Sequence, residues 1–348
     1  METKTFTYMP DAPSGLIDTR QGAINIYASM PCPMKVPFKQ LMTPFVESCN
    51  AGHPDAPVYC PDVADCSLEA LGLTVRRTVD PDYLPDIVIA NNYEFVFEYP
   101  FYESLLKTGV FTGVSHPSDL EAMPAELRTN LTNHNMGVLC FGSRSVVLDV
   151  TVDGVPQNIM SWRELLTPAW EDQFTVHGHL DKATFGFMYF LNKHFGAEGI
   201  VRYAKNIADI KHFSQIIKRL NSTGEYKTAI NILPDVATAK IPSTKKVRIL
   251  DLEEGKMLSP MMLFVKTSKL EQCRKILDFF WSKPFRKMLG NGCLLPDGLR
   301  KDRRYSIPDF GVLATDYKRL EKAFNDLFLE NLNFGKINER MTGGGICK

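Results

Sequence analysis

The chain has 348 residues, 44% of them hydrophobic and 23% charged, with 40 Lys plus Arg balanced by 40 Asp plus Glu. That is a globular profile, long enough for about two domains. A formal charge of zero gives no global field toward nucleic acid or an anionic membrane, and no apolar run approaches the roughly 20 residues of a membrane span.

Residues 1–21 form a polar extension without the apolar core of a secretory signal. Either the chain is cytoplasmic or a signal has been removed. From Ala23 to Val36 the sequence reads AINIYASMPCPMKV. The run Ile24 to Ala28 predicts a buried strand that stops at Ser29-Met30-Pro31-Cys32-Pro33, and Val36 to Ser48 has apolar residues at helical spacing. A strand ending in a tight turn before a helix presents backbone N–H groups at the strand's carboxyl end. Ser29 and Cys32 stand in that turn, which makes it a candidate half of a ligand site. Cys32 is either a thiol activated by a helix N-terminus or a small residue that fits the turn.

Residues 49–66 are a Pro- and Cys-rich connector, in which Cys49, His53, Cys60 and Cys66 could hold a metal or form a disulfide. No CxxC pair occurs among the eight cysteines, and the spacing fits no common zinc pattern. Cys140 and Cys273, in apolar surroundings, read as buried thiols. A short helix over SLEALGLTVRR precedes a second strand, Ile87 to Ala90, which again ends in small polar residues, Asn91 and Asn92. Residues 94–107 read as an aromatic-rich helix.

Residues 137–150 predict a long strand interrupted at Gly142-Ser143-Arg144, as a β-bulge or as a crossing strand with a hinge. Ser161 and Glu164 have capping-box spacing, and a strand from Gln173 to Val176 follows. Asp181 or Thr184 could cap the next helix, with Phe185, Met188, Tyr189, Leu191 and Phe195 on its apolar face. Gly196 to Ala208 and Phe213 to Leu220 read as helices, Thr228 to Leu233 as a strand stopping at Pro234-Asp235. Two strands flank Glu253-Glu254-Gly255. Helices are expected over Lys269 to Trp281 and Thr315 to Leu332, and the tail MTGGGICK as disordered. There is no GxGxxG after a strand, no P-loop, no GxSxG and no HExxH.

The pieces INIYASMP, PDIVIANN, SWRELLTPAWEDQFTV, FGAEGIVRYAKNIADI, GEYKTAINILPDVATAK and EGKMLSPMMLFVKTSKLEQCRKILDFFWSKPFRKMLGNGCLLP occur in an order and spacing that resemble one family. It is the type II periplasmic solute-binding proteins of ABC importers, ferric-iron-binding-like subgroup. The resemblance covers about residues 22–300. It implies an α/β, two-lobe periplasmic-binding-protein-like fold, with two crossing hinge strands and hinge closure over a ligand. Lobe 1 is expected over 22–141 and 260–348, lobe 2 over 142–259. The ligand contacts it implies are Ser29, Met30 and Cys32; Asn91 and Asn92; Ser143 and Arg144; Lys182, Ala183 and Thr184; Asn231, Pro234 and Asp235; and Ser259. Ferric-binding members carry adjacent tyrosines after the strand that here reads INILPDV, and this chain has Leu233, Pro234 and Asp235 instead.

Helix N-termini with Arg144, Lys182 and hydroxyls favour an anion or a carboxylate-bearing molecule. A softer metal or metal complex would draw on His177, His179, Cys32 or Met30. Arg144 could instead pair with an acid across the hinge. The resemblance implies a small-molecule or ion ligand and an ABC permease as partners, with no cofactor, no nucleic acid, no transmembrane segment and an extracytoplasmic location. The alternative is a cytoplasmic sensor or carrier on the same fold. An enzyme using Cys32 as nucleophile lacks an identifiable base beside it.

Overall fold

The structure is a computed structural model and describes residues 17–61, 69–91, 93–156, 158–178, 184–220, 227–238, 240–241, 246–300, 302–334 and 337. Its strands in chain order are β1 (Ile24–Ala28), β2 (Val58–Tyr59), β3 (Ile87–Ala90), β4 (Phe111–Gly113), β5 (Val138–Asp149) and β6 (Phe174–His177). They continue with β7 (Ile207–Lys211), β8 (Ile230–Pro234), β9 (Val247–Ile249), β10 (Lys256–Lys266) and β11 (Tyr305–Ser306). The chain packs as two compact units: Met1–Val114, Asn135–Gly137 and Met262–Phe285 in unit 1; Ser115–His134, Val138–Met261 and Arg286–Lys348 in unit 2. β10 starts in unit 2 and ends in unit 1.

In unit 1, β1 lies parallel to β2 and to β3, with Ile26 opposite Ile87 and Ala28 opposite Ile89. The C-terminal half of β10 runs antiparallel to β3 and to β4. Every residue of β1 and β3 is buried, the expected state of parallel strands covered on both faces. Helix Lys35–Gly52 buries Phe38, Met42 and Cys49, residues that fall on one helical face. Phe101 packs on Phe111 and Phe264 at centroid distances of 5.3 and 5.2 Å. The single helix expected over 94–107 is two pieces, Glu94–Glu98 and Tyr102–Leu106. Pro100 is the reason: it drives Tyr99 to an extended φ of −104° and ψ of 163°, which ends the first piece.

Unit 2 is built on β5, which runs unbroken through Gly142-Ser143-Arg144 for 12 residues, without the expected interruption. It pairs antiparallel with β8 (Arg144 opposite Pro234, Leu148 opposite Ile230) and with β9. β6 lies parallel to β8 and to β7. β7 falls partly on residues expected to be helical. Its one acidic residue, Asp209, is buried and is held by Arg219 at 2.5 Å and Lys211 at 3.2 Å. The two helices expected on either side of Gly196 form one element, Phe185–Asn206, kinked at Gly196. The last helix begins earlier than expected, at Phe310, because Asp309 accepts from the backbone N–H groups of Gly311 and Val312. These two long helices pack through Phe185, whose ring lies 4.8 Å from Tyr317 and 5.6 Å from Phe324. Ser161 caps Trp162–Leu165 as expected, while Glu164 reaches the backbone N–H of Met160 rather than that of Ser161. Asp181, Cys66 and the tail lie outside the described residues. Among the described residues, no helix is long and apolar enough to cross a membrane.

Candidate functional site

Unit 1 places the ends of β1 and β3 side by side. The Ser29 N–H donates to the Ile89 carbonyl at 2.9 Å, extending the ladder one residue past β1. Ser29 and Met30 are buried, Asn91 is partly exposed, and Cys32 is exposed. Cys32 opens the 3-10 turn Cys32–Met34, which runs straight into helix Lys35–Gly52. Register therefore brings Ser29, Met30 and Asn91 to one end of the parallel pair. Asn92 lies outside the described residues.

In unit 2 the antiparallel register of β5 and β8 brings Ser143, Arg144 and Ser145 beside the Pro234-Asp235 stop. Asp235 is a node. Its carboxylate accepts from the Ser143 and Ser145 hydroxyls and from Lys256 Nζ, the last at 2.8 Å. Burial by itself would raise the Asp235 carboxyl. The ammonium of Lys256 and the two hydroxyls outweigh it and hold the group below the ordinary carboxylate value.

The Arg144 guanidinium is aimed by two neutral acceptors: Nη1 donates to the His177 carbonyl at 2.7 Å and Nη2 to Thr184 Oγ1 at 3.0 Å. Arg144 and Lys256 both line a small cavity of about 30 Å³ walled by Val146, Trp162, Phe187 and Ile232, enough for a water molecule. Asn231 is buried within β8, its amide donating to the Thr228 carbonyl at 3.3 Å. Ser259 is partly exposed and its carbonyl stands beside Gly142.

Nδ1 of His177 lies 3.3 Å from the Lys211 carbonyl, and its ring meets His212 and Phe213 edge-on at 5.6 and 5.7 Å. His179, Lys182 and Ala183 lie outside the described residues. Among the described residues, no three His, Cys, Asp or Glu side chains are grouped to hold a metal ion.

Two members of the unit 2 group were not anticipated from the sequence. Ser145 follows Ser143 at the two-residue strand period, so both hydroxyls share a face of β5 and reach one carboxylate. Lys256 is the first residue of β10, just past the Gly255 turn.

Comparison with known proteins gives the fold and the family. No curated protein matches. Among solved structures, the Trichodesmium FutA protein in complex with iron and citrate is 13% identical, with a TM-score of 0.60 over 88% of this chain and 99% of its own. The apo ferric ion-binding protein A of Pasteurella haemolytica is 11% identical, with a TM-score of 0.62 over 90% and 99%. An ABC transporter structure from Clostridium perfringens is 14% identical, with a TM-score of 0.59 over 88% and 98%. At such identities the likeness establishes the fold, a two-lobe periplasmic-binding-protein-like one, as the sequence resemblance implied. The family model for bacterial extracellular solute-binding proteins matches residues 82–310, well over half of the chain. The chain therefore belongs to the bacterial extracellular solute-binding proteins, a family of binding proteins rather than enzymes.

Proposed function

We propose that this protein captures a small anionic solute, a carboxylate-bearing molecule or an anionic metal complex, and delivers it to an ABC-type permease. The observation that carries the ligand class is Arg144: its guanidinium is aimed by the His177 carbonyl and the Thr184 hydroxyl. A fork of N–H donors fixed in this way suits a planar carboxylate or an oxyanion. Ser143, Asp235, Pro234 and Ser259 belong to the same proposal, as do Ser29, Met30, Cys32 and Asn91 of unit 1. The iron named for some relatives is not carried over as a bare ion. Phenolate pairs suit ferric iron, and here β8 ends in Leu233, which is buried, and Pro234, which is half-buried.

The test is a thermal-shift and calorimetric screen of citrate, phosphate, sulfate, ferric citrate and a neutral sugar against the wild type and Arg144→Met. An anion that binds stabilises the protein by about 2.7 kcal/mol at 100 times its dissociation constant. Arg144→Met is expected to weaken that anion by about 1.5–3 kcal/mol, roughly 10- to 150-fold. Binding of the neutral sugar alone, or an anion affinity unchanged in Arg144→Met, overturns the proposal.

A further inference from the structure

Three sulfur side chains from distant parts of unit 2 meet beside β5. Cys140 Sγ lies 3.8 Å from Met261 Sδ. Phe141 and Leu294 form a two-way backbone bridge, each N–H donating to the other's carbonyl at 2.8 Å. Cys140 and Cys293, each preceding a bridged residue, are diagonal neighbours on one face of that pair. Their side chains are close enough to interact. Cys140 and Met261 are buried, and Cys293 is partly exposed, so the group has one accessible edge.

We propose that Cys140, Met261 and Cys293 form a binding site for one soft monovalent cation of the Cu(I) class, separate from the anion site above. The argument is ligand chemistry and spacing. Thiolate and thioether sulfur select soft ions, whereas carboxylate and carbonyl oxygen select hard ones. A first-row ion sits about 2.3 Å from sulfur, so three sulfurs in a trigonal plane around it stand about 4 Å apart. The Cys140–Met261 separation of 3.8 Å is already close to that edge, so binding needs little rearrangement.

A structural zinc ion takes four ligands, and this set offers three sulfurs. As the ion binds, each thiol releases its proton to solvent, and affinity rises with pH. The backbone bridge holds Cys140 and Cys293 together with no ion bound, so ordering the site costs little.

The test uses the full chain, reduced and kept free of oxygen. Cu(I) is titrated in competition with a chromogenic Cu(I) chelator, for the wild type, Cys293→Ser and Met261→Leu, and the copper environment is read by X-ray absorption. The wild type is expected to withdraw one equivalent and to show three sulfur neighbours. Cys293→Ser, at a partly exposed position, should lose that equivalent. Met261→Leu should weaken it by about tenfold or more and reduce the sulfur count to two. Uptake that survives Cys293→Ser, a sulfur shell unchanged in Met261→Leu, or zinc bound in preference to Cu(I) each overturns the proposal.

Discussion

Unit 1 contains a buried ion pair whose removal has a calculable cost. Lys266 Nζ donates to Asp86 Oδ1 at 2.9 Å and to the Leu84 carbonyl at 2.7 Å, while Asp86 Oδ2 accepts from the Asn25 backbone N–H at 2.8 Å. The two side chains are only 10% and 4% exposed, so solvent screens the pair little. Asp86→Ala leaves an ammonium buried with one backbone acceptor, and strips Asn25 of its partner within β1. Breaking such a pair from one side costs about 3–5 kcal/mol, most of it the desolvation of the charge left behind. Lys266→Met strands the carboxylate and should cost a similar amount. The double variant removes both charges, so its loss should fall well below the sum, with a coupling of about 2–3 kcal/mol. Two units unfold without a single defined free energy, so the readout is native-state hydrogen exchange at the β3 amides Ile87 to Ala90. Single variants that change their opening energy by less than about 1 kcal/mol, or a double variant as damaged as the sum, would refute the reasoning.

Two further outcomes follow from unit 2. Asp235 has its folded pKa held below the unfolded one, so its contribution is fully present above the ordinary carboxylate value of about 4 and is lost as pH falls through the depressed folded pKa. Lys256→Met removes the attached ammonium, and the acid-unfolding midpoint should move to higher pH; an unmoved midpoint, with an unchanged Asp235 carboxyl titration by NMR, contradicts the node. Gly255→Ala should destabilise by about 2–3 kcal/mol in urea unfolding, because φ is 83° and the new Cβ would overlap the Arg304 carbonyl oxygen, where β10 begins its pairing with β11.

What was legible in the sequence followed from patterns that many side chains satisfy. Ile87-Val88-Ile89-Ala90 reads as a strand because a short β-branched run between Asp86 and Asn91 has few other ways to be buried, and β3 has those bounds. β7 was hidden for the opposite reason. Its sequence, IADIK, follows a helix with no Gly or Pro at the boundary, and its buried Asp209 breaks the apolar signature that tertiary pairing with Arg219 and Lys211 later makes tolerable. Ser145 and Lys256 were missed because each sits at the polar edge of an apolar run, and only the β5–β8 register together with the Lys256–Asp235 bond brings them to the carboxylate that Ser143 also reaches. The sulfur group was out of reach as well: Cys140 and Met261 are 121 residues apart and carry no spacing that marks a site.

The difference between fold and site explains why identities of 11–14% still accompany full-length structural likeness. Core positions need only apolar volume in the right period, so substitutions within β1, β3 and β8 leave the architecture intact. A binding site needs particular atoms, and the end of β8 is where this chain departs from the resemblance. Where the resemblance expects paired phenolates, the chain has Leu233 turned into the core, Pro234 closing the strand, and an aspartate neutralised internally by Lys256 and two serine hydroxyls. An aspartate engaged in this way is a poor ligand for a hard cation, because binding one would require breaking a part-buried ion pair and leaving an ammonium without its counter-charge. In the proposed reading Arg144, across the strand pair from Pro234, is the charged group that would meet a ligand of the opposite sign. The fold thus rests on an apolar pattern that many sequences satisfy, and on the proposed reading the ligand preference would rest on a few residues at the end of β8 and on β5.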